Sequence, residues 1–237
     1  MRAIRIEPKE GHTGRVVIEL AGTAGAGKSF LMEKLRDTTE AQVYRRKGRL
    51  TDYLFLLFIL PSLAFVTKDW TRVSQNTARR VLLFRSLSRE TEGVYVVDEG
   101  PWHVFSAYYG TRTWRLVEWL LLYACMPMLK FTLPDHVIFL SVSPEKVQSR
   151  RRARARRNEK TLDHEEIVRA SHVKARLLQF LSRRFSGNVK LRTFENETDD
   201  SWKTILRYTV SVAWPQRPVP AYTVSVAGRQ RPVPATS

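Results

Sequence analysis

One short segment limits the fold of this chain more than any other feature. It fills every fixed position of the loop pattern G-x-x-x-x-G-K-[ST], and its residues are Gly22, Thr23, Ala24, Gly25, Ala26, Gly27, Lys28 and Ser29. The mainly apolar run before it, residues 16–21, predicts a strand, and the spacing of Phe30, Leu31 and Leu35 predicts a helix that faces a sheet. A strand, a loop of this kind and a helix in succession are expected to wrap backbone around a phosphate group.

The residue types of the loop explain why it suits a nucleotide. Gly22, Gly25 and Gly27 allow positive φ angles and a close approach of the backbone to a polyphosphate. The free N–H groups at the start of the following helix, together with the helix dipole, attract the anion. We expect Lys28 to bind the β- and γ-phosphates of ATP and the Ser29 hydroxyl to ligate Mg²⁺. All eight loop residues are therefore predicted to bind the nucleotide.

Length and composition restrict the class of protein. The chain has 237 residues, enough for one α/β domain with appendages, and a single cysteine, Cys125, so no intrachain disulfide can form. Residues 1–14 are mixed charged and polar and contain no apolar region of the kind found in secretory signals. We therefore expect a cytoplasmic protein. The net charge of +17 predicts attraction to polyanions, which include nucleotides, nucleic acids and anionic membrane surfaces.

Short β-branched runs alternate with longer helical stretches, which is typical of a parallel sheet covered by helices on both faces. The predicted strands are residues 16–20, 41–44, 94–98, 136–142 and 188–192. The predicted helices lie near residues 30–36, 52–66, 76–90, 113–130 and 162–185, and a last helix starts near Asp200. The predicted fold class is therefore α/β with three layers.

Two apolar stretches, residues 53–66 and 116–129, raise the alternative of membrane contact. Each is shorter than the ~20 apolar residues that cross a bilayer, and Pro61 and Pro127 interrupt them. We interpret them as buried helices of the core or of a lid, with an apolar acceptor site or a membrane-associated surface as the alternative. The same helices could pack a homodimer as readily as a core.

Two carboxylates, Asp98 and Glu99, directly follow an apolar strand. Ligands of nucleotide-binding sheets collect at the carboxyl ends of the strands, so these side chains are expected to face the phosphates. We predict that Asp98 binds Mg²⁺, either directly or through another group that coordinates the ion. Glu99 is predicted to accept a proton from an acceptor hydroxyl or to orient that acceptor. A solvated pair of charges at the end of a strand is the alternative.

Arginines are concentrated after the strand at residues 136–142. Six of the eight residues in 150–157 are arginine, and such a cluster repels itself unless an anion is near. Guanidinium groups can stabilise the charge on a phosphoryl group during transfer, and we assign this role to Arg150 and Arg154. A solvated basic face and a contact with nucleic acid are the alternatives.

The C-terminus contains a tandem duplication, because residues 208–221 return with few changes as residues 222–235. Two proline-rich copies are too few for a solenoid, which needs about three or more, so an extended tail is expected. The predicted organisation is an N-terminal extension over residues 1–14, a nucleotide-binding domain over residues 15–207 with an arginine-rich lid at about 149–161, and a tail over residues 208–237.

The order of the loop, the Asp98 strand, the Pro134-Asp135 strand and the arginine segment resembles that of P-loop nucleoside and nucleotide kinases, most closely the thymidylate kinases. The resemblance covers roughly residues 15–214 and includes the segment Ser-Ala-Tyr-Tyr-Gly at residues 106–110. It implies a five-stranded parallel sheet, ATP and Mg²⁺ as cofactors, and transfer of the γ-phosphoryl group to an acceptor. The residues that it implies around the acceptor are Arg45, Arg72, Arg79, Tyr108 and Tyr109, with Arg80 on the same helix.

Two positions depart from the thymidylate kinase pattern. Glu99 stands where that family has arginine, and Ala24 stands where its loop usually has aspartate. A carboxylate at position 99 suits a hydroxyl acceptor, such as a nucleoside or another small alcohol, better than a nucleoside monophosphate. We therefore predict an ATP-dependent small-molecule kinase. The alternatives are a nucleotide-gated regulatory ATPase or nucleic-acid-binding protein, which the net charge and the arginine cluster favour, and a kinase that acts on polynucleotide ends.

Overall fold

A computed structural model describes residues 3–7, 14–45, 49–54, 57, 70–100, 133–154, 164–185, 189–196, 198 and 200–213, without the side chains of residues 70–77, 151 and 154. None of the helices in these ranges has both the length and the apolar composition that a bilayer-spanning helix requires.

A single sheet forms the centre of this part of the protein. Its strands are β1 (Ala3–Ile6), β2 (Arg15–Gly22), β3 (Gln42–Val43), β4 (Gly93–Asp98), β5 (His136–Ser141) and β6 (Lys190–Glu195). Across the sheet they follow the order β3-β1-β4-β2-β5-β6. Strands β4, β2, β5 and β6 pair in parallel, whereas β1 is antiparallel to both of its neighbours. Five strands therefore run in one direction, as predicted, and β1 is an additional antiparallel strand.

Strand β1 lies within the segment that we expected to precede the domain. Ile4 is opposite Val43 of β3 and Val96 of β4, so β1 separates these two strands. Ile4 and Ile6 are 4% and 0% exposed and belong to the core. Their alternation with Arg5 is the period of a strand with one buried face. Residues 3–6 of the expected extension are therefore part of the sheet.

Helices cover both faces of the sheet, which confirms the predicted α/β class. They are α1 (Lys28–Thr39), α2 (Trp70–Leu87), α3 (Pro144–Arg154), α4 (His164–Arg184) and α5 (Ser201–Ala213). Leu35 of α1 and Ile205 of α5 pack into one core cluster, whereas Phe84 of α2 packs into a second cluster with Tyr95 and Val97. Because β4 lies between the two layers, Val94, Tyr95, Val96 and Val97 are all fully buried.

Some predicted boundaries differ from the structure or lie outside it. Helix α5 continues to Ala213, past the expected domain boundary at residue 207, and Tyr208, Val210 and Val212 pack against the core. The lid expected at about residues 149–161 overlaps α3 at its start, and residues 155–161 lie outside the described part. The predicted helices near residues 52–66 and 113–130 also fall largely outside it, apart from a helical segment at residues 50–54.

Candidate phosphate-binding site

The glycine loop connects β2 to α1 at the carboxyl edge of the sheet. A Cβ atom on Gly22 would lie 2.8 Å from the backbone oxygen of Leu140 on β5. Gly27 has a φ of 92° and is the N-cap residue of α1. Because Gly27 has no side chain to cap the helix, the first N–H groups of α1 remain available to an anion. The loop therefore has the backbone geometry that a phosphate site requires.

Lys28 is held against the loop to which it belongs. Its Nζ atom donates hydrogen bonds to the carbonyl oxygens of Gly22 at 2.9 Å and of Thr23 at 3.0 Å. The same ammonium group lies 3.0 Å from Glu99 Oε1. Lys28 is only 9% exposed, so water screens this ion pair weakly.

Glu99 is the centre of a cluster of cations that come from three helices. Its Oε2 atom is 3.2 Å from Arg80 Nη2 of α2, and its Oε1 atom is 3.0 Å from Lys28 Nζ of α1 and 3.8 Å from Lys174 Nζ of α4. Glu99 adopts a φ of 59°, which is uncommon for a residue with a side chain and turns the chain sharply after β4. Three cations arranged around one carboxylate form a site with the charge and donors to bind a phosphate.

Asp98 and Ser29 are the two residues that the sequence predicts to hold a metal ion, and Ser29 is exposed in the first turn of α1. Asp98 Oδ1 is buried and has no hydrogen-bond partner among the described residues. Burial raises the pKa of the Asp98 carboxyl, and the nearby Lys28 opposes this shift. Carboxylate and hydroxyl oxygens are the ligands that Mg²⁺ prefers, so an unpartnered carboxylate oxygen beside a phosphate loop fits this ion.

Glu19 is a buried carboxylate that the sequence analysis did not assign to the site. It lies on β2 with 1% exposure, and its Oε1 atom has no hydrogen-bond partner within the described ranges. Burial raises the pKa of Glu19 to about 7, against the opposing effects of a hydrogen bond from the Gly100 N–H and of the charge of Arg80. The available signal was a single acidic residue within an otherwise apolar strand. Glu19 places a titratable group beside the cation cluster.

Asn196 and Arg150 support the other end of the loop. Asn196 Nδ2 donates to the carbonyl oxygen of Ala26 at 2.8 Å, and Arg150 Nη2 donates to the carbonyl oxygen of Asn196 at 3.2 Å. Arg150 Nη1 is buried without a hydrogen-bond partner in the described structure, and it lies 3.7 Å from the position of a Cβ on Gly27. The structure thus brings Arg150 to the loop and leaves one of its donors available to an anion.

Of the predicted acceptor residues, only Arg45 and Arg79 have side chains that the structure describes. Arg45 and Arg79 are exposed, whereas the neighbouring Arg80 is the arginine that contacts Glu99. Tyr108, Tyr109 and the side chains of Arg72 and Arg154 lie outside the described residues.

Sequence reasoning missed Lys174 and Asn196. Both reach the loop from segments more than a hundred residues away along the chain, Lys174 through Gly22 and Asn196 through Ala26. Neither residue belongs to a motif, and only the packing of α4 and the end of β6 against the loop shows their positions.

Comparison with known proteins supports the assignment of the fold. No protein-family model matches the chain, and no curated protein matches its sequence. Among solved structures, the chain is similar to deoxyadenosine kinase from M. mycoides with bound dATP, at 16% identity and a TM-score of 0.52, over 83% of this chain and 100% of that chain. A structure of that kinase with the products dCMP and a flexible dCDP is similar at 15% identity and a TM-score of 0.53, with the same coverage. At this level of identity, the similarity shows that the two proteins share a fold.

Proposed function

We propose that this protein is an ATP-dependent phosphotransferase of the nucleoside kinase type. It transfers the γ-phosphoryl group of ATP to a hydroxyl group of a small acceptor. The thymidylate kinase resemblance and the deoxyadenosine kinase structures both support this class, and the two differ in the acceptor that they suggest.

The observation that carries the proposal is the geometry around Lys28. Its ammonium group lies at a glycine loop of the correct backbone shape and shares the carboxylate of Glu99 with Arg80 and Lys174. Such a concentration of donors in a weakly hydrated site is suited to stabilising a triphosphate and the charge that spreads over its terminal oxygens during transfer.

Each residue of the site has a proposed role in the reaction. The loop amides, Lys28 and Arg150 bind the phosphates, and Ser29 and Asp98 hold Mg²⁺, which supplies charge neutralisation to the phosphate oxygens when bound. Glu99 leaves Lys28 when the nucleotide enters and then accepts the proton of the acceptor hydroxyl. The bond between the γ-phosphorus and the β–γ bridging oxygen breaks, and a bond between that phosphorus and the acceptor oxygen forms.

The acceptor is proposed to be a nucleoside or another small alcohol. A carboxylate at position 99 can accept a proton from a hydroxyl group but repels a second phosphate group. Arg45, Arg72, Arg79, Tyr108 and Tyr109 remain the proposed acceptor-binding residues, with Arg154 as a second arginine for the transferred group.

The proposal is tested by following ATP consumption with four acceptor classes in parallel. These are nucleosides, nucleoside monophosphates, small alcohols and oligonucleotides, each analysed for the phosphorylated product. We expect product from at least one nucleoside or small alcohol, and no product with Lys28→Ala, because that variant removes the ammonium group that binds the phosphates.

Lys203→Ala is the matched control, because Lys203 lies on α5 in a surface ion pair with Asp200. It should retain wild-type turnover. Equal turnover by Lys28→Ala and wild type, or the absence of any phosphorylated product from all four classes, would contradict the proposed function.

A second candidate function is nucleic-acid binding controlled by a nucleotide. Arg169, Arg176 and Arg183 are exposed at seven-residue intervals, which is close to two turns, so they form a basic stripe along one face of α4. Arg176 and Arg183 also line a groove with a volume of about 610 Å³. Binding of a labelled oligonucleotide that weakens steeply with salt, without phosphorylation of its end, would favour this candidate.

A further inference from the structure

Lys174 is a buried lysine at the candidate site that no motif identifies. It lies in the middle of α4, and its Nζ atom donates a hydrogen bond to the carbonyl oxygen of Gly22 at 3.1 Å. Its side chain is 15% exposed, in contrast to the exposed arginines on the opposite face of the helix. Helix α4 therefore directs this one ammonium group towards the start of the glycine loop.

Lys174 and Lys28 share a hydrogen-bond acceptor. Both ammonium groups donate to the same oxygen of Gly22, Lys28 at 2.9 Å and Lys174 at 3.1 Å. Two cations so close to each other, with Arg80 nearby, repel unless an anion lies among them. In this structure the carboxylate of Glu99 is within 4 Å of each of the three cations. Glu99 therefore marks a position at which an anion is stabilised.

We propose that Lys174 is a phosphate-binding residue of the site, which contacts the nucleotide triphosphate together with Lys28 and Arg80 once Glu99 has moved away. This inference rests on the proposed function and adds a residue from α4 to the nucleotide-binding residues of the loop. Contact with the phosphates would also couple the nucleotide to α4, which follows the arginine-rich segment.

The protonation of Lys174 supports the same role. Burial, together with the charges of Lys28 and Arg80, lowers the pKa of Lys174 to about 8 against the opposing effect of Glu99. A triphosphate carries more negative charge than one carboxylate, so its arrival should raise the pKa of Lys174 again. Nucleotide binding near pH 8.5 should then be accompanied by proton uptake.

The first experiment compares Lys174→Met with the matched variant Lys203→Met by calorimetric titration with Mg–ATP at pH 7. Lys174→Met should bind Mg–ATP about 10- to 100-fold more weakly, because it lacks a charge-assisted hydrogen bond, and Lys203→Met should bind as wild type does. Lys174→Arg should recover part of the affinity, which a purely structural role of the side chain would not produce.

The second experiment does not depend on the folding of a variant. Calorimetry of the wild-type protein at pH 8.5, in buffers of different ionisation enthalpy, measures the protons taken up with Mg–ATP. We expect uptake in wild type and in Glu19→Gln, which removes a buried carboxyl with a pKa of about 7. Absence of uptake would overturn the assignment of Lys174.

The outcomes separate this inference from the proposed function. Equal affinities of wild type and Lys174→Met for Mg–ATP would overturn the role of Lys174 alone. Tight binding of Mg–ATP that depends on Lys174, without transfer to any acceptor, would support this inference and contradict the proposed kinase activity. A wild-type protein that does not bind Mg–ATP would overturn both.

Discussion

Glu99 joins cations that are far apart in the chain, and it does so from a backbone conformation that few residues with side chains adopt. A φ of 59° costs about 1–3 kcal/mol, and the ion pairs with Lys28 and Arg80 offset part of that cost. Strain of this kind is most often found at functional sites. Glu99 therefore combines close ion pairs to cations with a strained backbone.

Replacing Glu99 by Gln separates its two proposed roles. Glu99→Gln should slow phosphoryl transfer by about 100-fold or more, because the amide cannot accept the proton of the acceptor. Its affinity for Mg–ATP should be equal to or higher than that of wild type, because a negative charge that competes with the triphosphate is removed. Turnover and calorimetric titration measure the two effects.

Glu165→Gln, at an exposed position of α4, is the control for that substitution and should change neither quantity. Parallel loss of turnover and nucleotide affinity in Glu99→Gln would instead point to a role of Glu99 in folding.

The buried carboxyl of Glu19 should make stability depend on pH. Its pKa is about 7 in the folded protein against an ordinary value of 4.5, so the folded state binds more protons than the unfolded state between these values. The free energy of unfolding therefore falls as the pH rises through this window, by up to about 3 kcal/mol from this group. Glu19→Gln should remove this contribution, so its stability relative to wild type should rise between pH 5 and pH 7.5.

Urea unfolding of wild type and Glu19→Gln at several pH values measures this difference. A difference in stability that stays constant over this range would show that Glu19 does not titrate in the folded protein.

Among the elements, β1 shows how a short strand can be essential and still escape prediction. Only four residues form it, and its alternation of apolar and charged residues is too brief to distinguish a strand from an N-terminal extension without regular structure. Three of the predicted strands, at residues 16–20, 94–98 and 136–142, contain longer β-branched runs, and all three belong to the parallel part of the sheet. Pairing of β1 with β4 is a contact between distant segments, which a local pattern does not contain.

Shortening a core side chain of β1 tests its contribution. Ile6→Ala should lower the free energy of unfolding by about 2–5 kcal/mol, because Ile6 is 0% exposed and its removal leaves a cavity between the sheet and the helices. Urea unfolding measures the change. Val43→Ala on the adjacent β3 is the control and should change stability by less than about 0.5 kcal/mol, because Val43 is 61% exposed. Equal stabilities of Ile6→Ala and wild type would show that β1 is not part of the cooperative core.

At the scale of the whole molecule, the repeat in the sequence and the boundary of the folded domain do not coincide. The first copy of the repeat starts at Tyr208, but α5 includes this residue and continues to Ala213. Thr209 is fully buried, and the apolar residues around it pack on the core. The proline-rich repeat predicted an extended tail from Tyr208 onwards, whereas its first six residues form the end of α5.

Truncation at two positions tests where the domain ends. A chain that stops after Arg207 should lose at least about 2 kcal/mol of stability, because it lacks the packed residues Tyr208, Val210 and Val212. A chain that stops after Ala213 should unfold at the same urea concentration as the full chain. Equal midpoints for both truncations would place the boundary at residue 207 after all.

The loop and the fold class could be predicted because both are local: the glycine positions determine the backbone of residues 22–29, and hydrophobic periodicity determines the elements. The cation cluster could not, since Lys174 and Arg80 meet Glu99 only through the packing of α4 and α2 on the sheet. Asn196 is a similar case, because its bond to Ala26 joins residues 170 positions apart.

The direction of β1 has a practical consequence for anyone who purifies this protein. An antiparallel strand begins at the edge where its parallel neighbours end, and Ala3 is opposite Val97, next to Asp98. An affinity tag fused ahead of Ala3 would therefore start near the candidate phosphate-binding site, where a polyhistidine sequence could capture metal ions or obstruct the entry of a ligand. Such a tag is better removed before any assay of activity.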